Sequence, residues 1–161
     1  MKRILIFISM IMAAVSCKPG NPFLAEWNTP YGIPDFTKVQ EEHYIPAIEY
    51  GIQQQQSEID AIISNTEAPT FANVVEAYER SGAVLDRVSS VLFNVSESDA
   101  TESLQKIVEQ ALPLISVHSD NIFMNPGFFA KVEVLYNQIE TLGLNQEQKM
   151  VLKKLYNAFV K

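Results

Sequence analysis

One amphipathic stretch, residues 69–95, constrains the fold more than any other part of the chain. Apolar side chains recur there at intervals of three and four residues, the spacing of a helix with one buried face. Thr70 suits the N-cap because its hydroxyl can accept a hydrogen bond from a first-turn amide, and Pro69 disfavours helix at residue 68. The pattern predicts one helix over about 71–93. Its apolar positions are Phe71, Val74, Val75, Tyr78, Leu85, Val88 and Leu92.

Gly82 lies in the middle of this predicted helix. A glycine inside a helix costs about 1 kcal/mol relative to alanine. We interpret it as the place where another helix crosses closely over residues 81–83, which would offset that cost. A tolerated defect with a small kink is the alternative.

Four further segments have the same periodicity, so the chain is predicted to be all-α, with about five amphipathic helices in antiparallel hairpins. The first helix is expected from Glu42 to about Ser64, with Pro46 in its first turn, where a missing amide does no harm. Residues 53–56 are four glutamines, interpreted as a half-solvated helix face. The five residues 65–69 then favour a helical hairpin.

The third helix is expected over about 101–123. Asp99 or Ser98 could cap it, and Pro113 should kink it. Its buried face is predicted from apolar side chains at helical spacing. They are Leu104, Ile107, Val108, Ala111, Leu112, Ile115 and Ile122.

The fourth helix is expected to open at Pro126, to run to about Thr141 and to end at Gly143. Asn145, with Gln148 three residues later, forms a variant capping box that opens the fifth helix. The two helices carry their own apolar positions. They are Phe128, Phe129, Val132, Leu135, Tyr136 and Ile139, and then Met150, Val151, Leu155, Tyr156 and Phe159.

Residues 1–16 have the pattern of a secretory signal. Lys2 and Arg3 precede a twelve-residue apolar run that is too short to span a bilayer as a helix. Cys17, the only cysteine, follows small residues as in a bacterial lipoprotein processing box, although the common leucine three residues earlier is absent. We expect an exported, membrane-anchored, periplasmic lipoprotein that is acylated on Cys17. An ordinary signal peptide with an incidental cysteine is the alternative.

Residues 17–36 are expected to form a lipidated tether and an extended arm, because four prolines and two glycines disfavour helix. Large apolar side chains in the arm argue against a disordered tether. We expect them to pack against the helical portion, residues 37–161; a binding strip for a partner is the alternative. These side chains are Phe23, Leu24, Trp27, Tyr31, Ile33 and Phe36.

No residues in the chain have the spacing of a catalytic or metal site. The zinc signature H-E-x-x-H is absent, and the two histidines lack partners at helical ligand spacing. We therefore assign no catalytic, cofactor-binding or metal-binding residue, and interpret His43 as a helix-start residue and His118 as a helix-face residue. Asn94 begins a glycosylation acceptor sequence, which has no consequence in a bacterial lipoprotein. The net charge of −7 disfavours a nucleic-acid partner.

The order of several proline, glycine and aromatic positions is distinctive. These positions are Asn21-Pro22-Phe23, Pro34, Phe36, Val39, His43-Tyr44-Ile45-Pro46-Ala47, Gly51, Pro69-Thr70-Phe71, Asn73, Glu79, Ser81-Gly82, Leu85, Arg87-Val88, Asn125-Pro126 and Phe128-Phe129. Together they resemble the N-terminal region of the thimet oligopeptidase family of zinc metallopeptidases, most closely its bacterial peptidyl-dipeptidase (dipeptidyl carboxypeptidase) branch. The resemblance covers residues 21–161. It departs from the family pattern at Val74 and Tyr78, where threonine and leucine are commoner.

The resemblance implies a function that the residues alone do not show. Family members are long, largely helical zinc enzymes that cleave short peptides in a deep channel, and the peptidyl-dipeptidase branch releases C-terminal dipeptides. Their zinc ligands and general base lie in a later H-E-x-x-H region, so no catalytic residue is carried over to this chain. The resemblance therefore implies a channel-walling segment, inactive by itself and without its own cofactor. Its implied partners are the remainder of the peptidase, with its zinc, and an oligopeptide substrate.

The helical pattern continues to Lys161 without a stop signal, from which we expect the chain to be part of a longer polypeptide. A natural C-terminal helix that ends on lysine is the alternative. The competing functional hypothesis is a free-standing acidic helical lipoprotein that acts as a peptide-binding or interaction module. A truncated, non-functional gene product is a third. Whether the chain is itself an enzyme stays open.

Overall fold

The computed structural model describes residues 20–160, and all regular structure within them is helical. A π-helical turn covers Phe71–Glu76, and short 3-10 turns cover Pro30–Gly32 and Glu41–His43. The predicted all-α fold is confirmed, whereas residues 1–16 and Cys17 lie outside the described residues. The α-helices are α1 (Tyr44–Ser64), α2 (Ala77–Arg80), α3 (Ala83–Ser98), α4 (Glu102–Phe123), α5 (Pro126–Asn137) and α6 (Gln146–Val160).

The prediction of one helix over 71–93 is wrong. The segment begins as a π-helical turn, continues as α2 and is broken at Ser81 and Gly82 before α3 begins. Ser81 is extended, with ψ 155°, and Gly82 is left-handed, with φ 72°. A left-handed backbone is accessible to glycine because it has no Cβ. The break therefore turns the predicted long helix into two shorter ones.

Helix α1 does lie against Gly82, but the glycine is needed there for its left-handed backbone and not for a contact between two helix backbones. A Cβ on Gly82 would meet the side chain of Gln55 rather than a helix backbone. The close crossing lies instead at Gly51 of α1, where an added Cβ would be 2.8 Å from the backbone N and Cα of Leu85 in α3. Real Cβ atoms do not approach backbone so closely, so α1 and α3 pack together only because residue 51 has no side chain.

Two predicted helix starts are confirmed. The Thr70 hydroxyl accepts a hydrogen bond from Asn73 N at 3.1 Å, and the Asn73 side chain accepts one from Thr70 N at 2.7 Å. Asn145 and Gln148 make the same reciprocal pair, at 2.9 and 3.0 Å. Each pair satisfies two amides that a helix start leaves without intrahelical partners.

The cap predicted at Ser98 or Asp99 is wrong, because these residues end α3. Thr101 caps α4, and its hydroxyl accepts a hydrogen bond from Leu104 N at 3.2 Å. Pro113 lies inside α4, which continues through it to Phe123.

The end predicted for the fourth helix near Thr141 and Gly143 is also wrong. Helix α5 ends at Asn137, and a tight turn follows in which Ile139 N donates to Tyr136 O at 3.2 Å. This turn directs Ile139 into the core. Gly143, with φ 66°, lies in the loop that leads to α6.

The buried side chains form two clusters. The N-terminal core joins the arm, the first half of α1, α3 and the first half of α4. It contains Phe23, Tyr44, Ala47, Ile48, Leu85, Val88, Leu92, Leu104 and Ala111. The C-terminal core joins the second half of α1, the π-helical turn, the end of α4, α5 and α6. It contains Ile59, Ile62, Val74, Val75, Ile122, Phe128, Val132, Leu135, Ile139, Leu152 and Leu155.

Part of the arm packs on the N-terminal core. Phe23 is fully buried, and its carbonyl accepts a hydrogen bond from the Arg87 guanidinium of α3 at 2.7 Å. The same guanidinium lies 4.4 Å from the centroid of the Trp27 ring, a cation–π geometry. Ile33 and Phe36, further along the arm, are about half exposed.

Candidate functional site

A layer of polar groups lies where the chain breaks between α2 and α3. We call it the polar layer; it consists of Gln55 and Glu58 of α1, Ser81 and Gly82 at the break, and His118 of α4. None of these five residues belongs to either apolar cluster. Because α1 contributes to both clusters and to this layer, it organises the whole described body.

A chain of hydrogen bonds runs through the polar layer from α4 to α2. His118 is only 5% exposed, and its Nε2 lies 2.9 Å from Gln55 Oε1. The Gln55 amide nitrogen donates to Ser81 Oγ at 3.2 Å, and Ser81 Oγ donates to the Tyr78 carbonyl at 2.7 Å. Since the Gln55 oxygen can only accept, His118 carries its proton on Nε2.

A second bond holds the break itself. The Glu58 carboxylate accepts a hydrogen bond from Gly82 N at 2.8 Å. A bond from a backbone amide to a charged acceptor is stronger than one between neutral groups. The left-handed glycine is therefore fixed against α1 by its neighbour Gln55 and by this carboxylate together.

Burial determines the electrostatics of the layer. Burial lowers the pKa of His118 because the imidazolium ion would lose its solvation. Burial, and to a smaller extent the charge of Glu79, raises the pKa of the Tyr78 hydroxyl. At neutral pH the His118 ring is therefore uncharged, and its Nε2 is already engaged with Gln55. The layer positions helices and offers no free reacting group.

Two of the open grooves on the described body lie near the polar layer and near the arm. One, of about 710 Å³, lies beside the break and has Glu79, Arg80 and Asp86 on its walls. The other, of about 880 Å³, lies between residues 20–29 of the arm and Tyr50 of α1. Neither groove gathers the convergent groups that an active site needs.

The described residues do not fit the zinc ion that the resemblance implies for the complete enzyme. Between residues 20 and 160, no three His, Cys, Asp or Glu side chains come close enough together to hold a metal ion. His43 Nδ1 instead accepts a hydrogen bond from Gln40 N at 3.0 Å at the start of the first helix, where the sequence analysis placed it. His118 is a helix-face residue, as predicted, but on the buried face of α4.

No helix in the described part of the chain has the length and hydropathy needed to cross a membrane. Several large apolar side chains are nevertheless exposed on the outside of the body. They are Ile33, Phe36, Leu112, Leu114, Val117, Met124, Val134, Met150 and Val160. Four of the nine belong to α4 or to the residue that follows it.

Comparison with known proteins identifies relatives of this chain, although no protein-family model matches it. It is 35% identical over 140 residues to dipeptidyl carboxypeptidase of Escherichia coli strain K12 and 34% identical over 140 residues to that of Salmonella typhimurium strain LT2. Each match covers 87% of this chain and 21% of the relative. The resemblance to the thimet oligopeptidase family is confirmed. Oligopeptidase A of E. coli is a more distant relative, 24% identical over 139 residues, which cover 86% of this chain and 20% of the relative.

The chain thus spans about a fifth of the length of the curated relatives that it matches. The similar region contains the whole polar layer, since it covers nearly nine-tenths of the chain. Sequence reasoning identified Ser81 and Gly82 as part of the family pattern, but it missed the roles of Gln55 and Glu58. Gln55 lies in a run of four glutamines, and only the fold distinguishes it from the exposed Gln53 and Gln54.

Proposed function

We propose that this chain is the N-terminal, channel-walling helical segment of a zinc metallopeptidase that removes C-terminal dipeptides from oligopeptides. The observation that carries the proposal is the identity of 34–35% to two dipeptidyl carboxypeptidases across 87% of the chain. The described residues contribute helices, two cores and a polar layer that holds them together. The zinc ion and the general base belong to the remaining polypeptide, and the oligopeptide is its substrate.

Two structural features support a walling role. The bonds of the polar layer connect α1, α2, α3 and α4, so the helices are held in fixed positions, as the wall of a channel requires. The exposed apolar side chains of α4 suit a body against which further polypeptide packs.

The first test uses the isolated chain. Incubated with zinc and an N-terminally blocked oligopeptide, it should release no dipeptide. Chelator-sensitive release of dipeptides would overturn the proposal. Tight binding of the oligopeptide by the isolated chain, measured by calorimetry, would favour a free-standing peptide-binding module instead.

The second test uses an exchange enzyme, in which this chain replaces the matching 140 residues of E. coli dipeptidyl carboxypeptidase. It should release dipeptides in a chelator-sensitive reaction. The same enzyme with the matching residues deleted is the control and should be inactive. An exchange enzyme that is as inactive as the deletion would contradict the proposal.

We also propose that Cys17 carries a lipid that anchors the protein to a membrane, on the periplasmic side. The support is the position of the only cysteine directly after a signal-like segment. Acyl chains contribute about 0.8 kcal/mol per buried methylene, so two or three chains anchor a protein stably. Cells grown with an alkyne-labelled fatty acid should label the protein and retain it in the membrane fraction. Cys17→Ser should lose the label and release the protein; a labelled variant would contradict the proposal.

A further inference from the structure

One side of α4 is an apolar surface that no described residue covers. Pro113, Val117 and Met124 are spaced by four and seven residues along the helix, with Leu114 beside them, so they share one side. We call these four residues the α4 outer face. Val117 is 59% exposed and Met124 is 81% exposed, while the opposite side of α4 is buried through Leu104, Ala111, His118 and Ile122.

The part of this surface around Pro113, Leu114 and Val117 belongs to an uncharged stretch of α4. Residues 110–119 contain no Asp, Glu, Lys or Arg, in a chain that is 19% charged. Residues 88–96 of α3 are also uncharged, but they expose the polar side chains of Ser90 and Asn94. Of these two uncharged stretches, only the one in α4 presents leucine, proline and valine to solvent, which marks it as a contact surface.

Pro113 also leaves one backbone carbonyl at this surface without its usual helical hydrogen bond. Proline has no amide hydrogen, so the Glu109 carbonyl, four residues earlier, receives no hydrogen bond from the helix at that position. Glu109 lies on the same side of α4 as Pro113 and is exposed. A partner that packs on the α4 outer face can therefore donate a hydrogen bond to a backbone acceptor at its edge.

We propose that the α4 outer face is the surface on which the remaining part of the peptidase docks. This inference rests on the proposed function. About four-fifths of each dipeptidyl carboxypeptidase relative has no counterpart in this chain. Both cores of this chain are closed by its own side chains, so further polypeptide packs on the outside, where the exposed apolar side chains of the α4 outer face offer area to bury.

Charge disfavours a second copy of this chain as the occupant. Glu109 and Asp120, both exposed, flank the uncharged stretch, and Asp120 lies between Val117 and Met124 on the same side of α4. Two copies meeting there would bring four carboxylates together, and each copy has a net charge of −7. A covalently linked segment of the same polypeptide also has a high effective concentration at the face, which a separate molecule lacks.

The test places a charge on the face, with Val117→Asp, and a matched charge elsewhere, with Val134→Asp on the exposed side of α5, where Val134 is 42% exposed. In the isolated chain both variants should melt at the temperature of the unsubstituted chain. In the exchange enzyme, Val117→Asp should lower the rate of dipeptide release at least tenfold and lower the melting temperature, whereas Val134→Asp should change neither. Leu114→Gln provides a second, uncharged probe of the same face.

The outcomes distinguish failure of the docking surface from failure of the proposed function. If the unsubstituted exchange enzyme is active and Val117→Asp and Leu114→Gln behave like Val134→Asp, the docking surface is overturned while the proposed function stands. If the unsubstituted exchange enzyme is inactive, both proposals are overturned. If the isolated chain sediments as a dimer that Val117→Asp dissociates, the face joins two copies and the docking surface is overturned.

Discussion

The two cores of this chain are built in different ways from the same helical periodicity. The N-terminal core depends on small residues. Ala47 and Ala111 are fully buried, and Gly51 lets the backbones of α1 and α3 come into contact. The C-terminal core depends on aromatic rings, with Phe128 and Phe159 centred 5.3 Å apart and Phe128 and Tyr78 5.4 Å apart.

This difference determines which kind of substitution destabilises each core most. Where backbones touch, an added methyl group has nowhere to go. Where rings fill the space, a removed ring leaves a cavity that the neighbours only partly close. The N-terminal core also depends on a non-helical arm, whereas the C-terminal core is closed by helices and by the turns between them.

The largest expected effect is the loss of a ring from the C-terminal core. Phe128→Ala should lower the free energy of unfolding by about 3–5 kcal/mol, as measured by urea denaturation. Phe23→Ala in the arm should cost less although Phe23 is equally buried, because the arm can detach locally while the helices stay folded. Equal costs would show that the arm unfolds only together with the helices.

An added methyl group should destabilise the N-terminal core more than the C-terminal core. Gly51→Ala should lower the free energy of unfolding by about 1–3 kcal/mol, because the new Cβ would meet the Leu85 backbone at 2.8 Å. Gly127→Ala at the start of α5 is the matched control, since its Cβ would meet a methyl group of Ile63 at 3.1 Å, and a side chain can shift. A Gly127→Ala variant at least as unstable as Gly51→Ala would contradict the distinction between the cores.

The polar layer between the cores should make stability depend on pH. Burial lowers the pKa of His118 in the folded state, so the unfolded chain binds the proton first as the pH falls. The free energy of unfolding should be highest above about pH 6.5 and should fall below it, by at most about 1.4 kcal/mol per pH unit for one proton. His118→Gln should remove this part of the dependence. Identical slopes between pH 7 and pH 5 in the two proteins would contradict it.

The smallest expected effect concerns helix caps, which are local and should not depend on the type of core. Thr70 caps the segment that leads into the C-terminal core, and Thr101 caps α4, whose first half packs in the N-terminal core. Replacing either threonine with alanine should lower the free energy of unfolding by about 1 kcal/mol. Serine at either position should restore most of the stability. Costs that differ by more than about 1 kcal/mol would show that the cores influence the caps.

Local signals in the sequence were sufficient where neighbours along the chain make the structure. Thr70 with Asn73, and Asn145 with Gln148, are three residues apart and satisfy each other. The prediction of one helix over 71–93 was wrong because the apolar period continues through Gly82. The apolar spacing predicts which side chains are buried. It does not predict a break in the backbone when the helices on both sides of the break bury side chains at the same spacing.

The candidate site was less accessible to sequence reasoning. His118 and Gln55 are 63 residues apart, and Gly82 and Glu58 are 24 apart. Nothing local to Gln55 distinguishes it from its three glutamine neighbours. Sequence reasoning also missed the α4 outer face, since none of its four residues was among the predicted apolar positions. Leu112, which was predicted to be buried, is 49% exposed because α4 packs through other residues.

The sequence by itself determined the all-α class, the approximate extent of most helices, the confirmed caps and the resemblance to the thimet oligopeptidase family. These properties depend on helical periodicity, on short-range hydrogen bonds and on the order of residues. The tertiary structure alone decided the break at Gly82, the crossing at Gly51, the partner of His118 and the side of α4 that stays exposed. Each of these depends on which distant segment packs against a residue, and burial and close contact exist only once the helices are assembled.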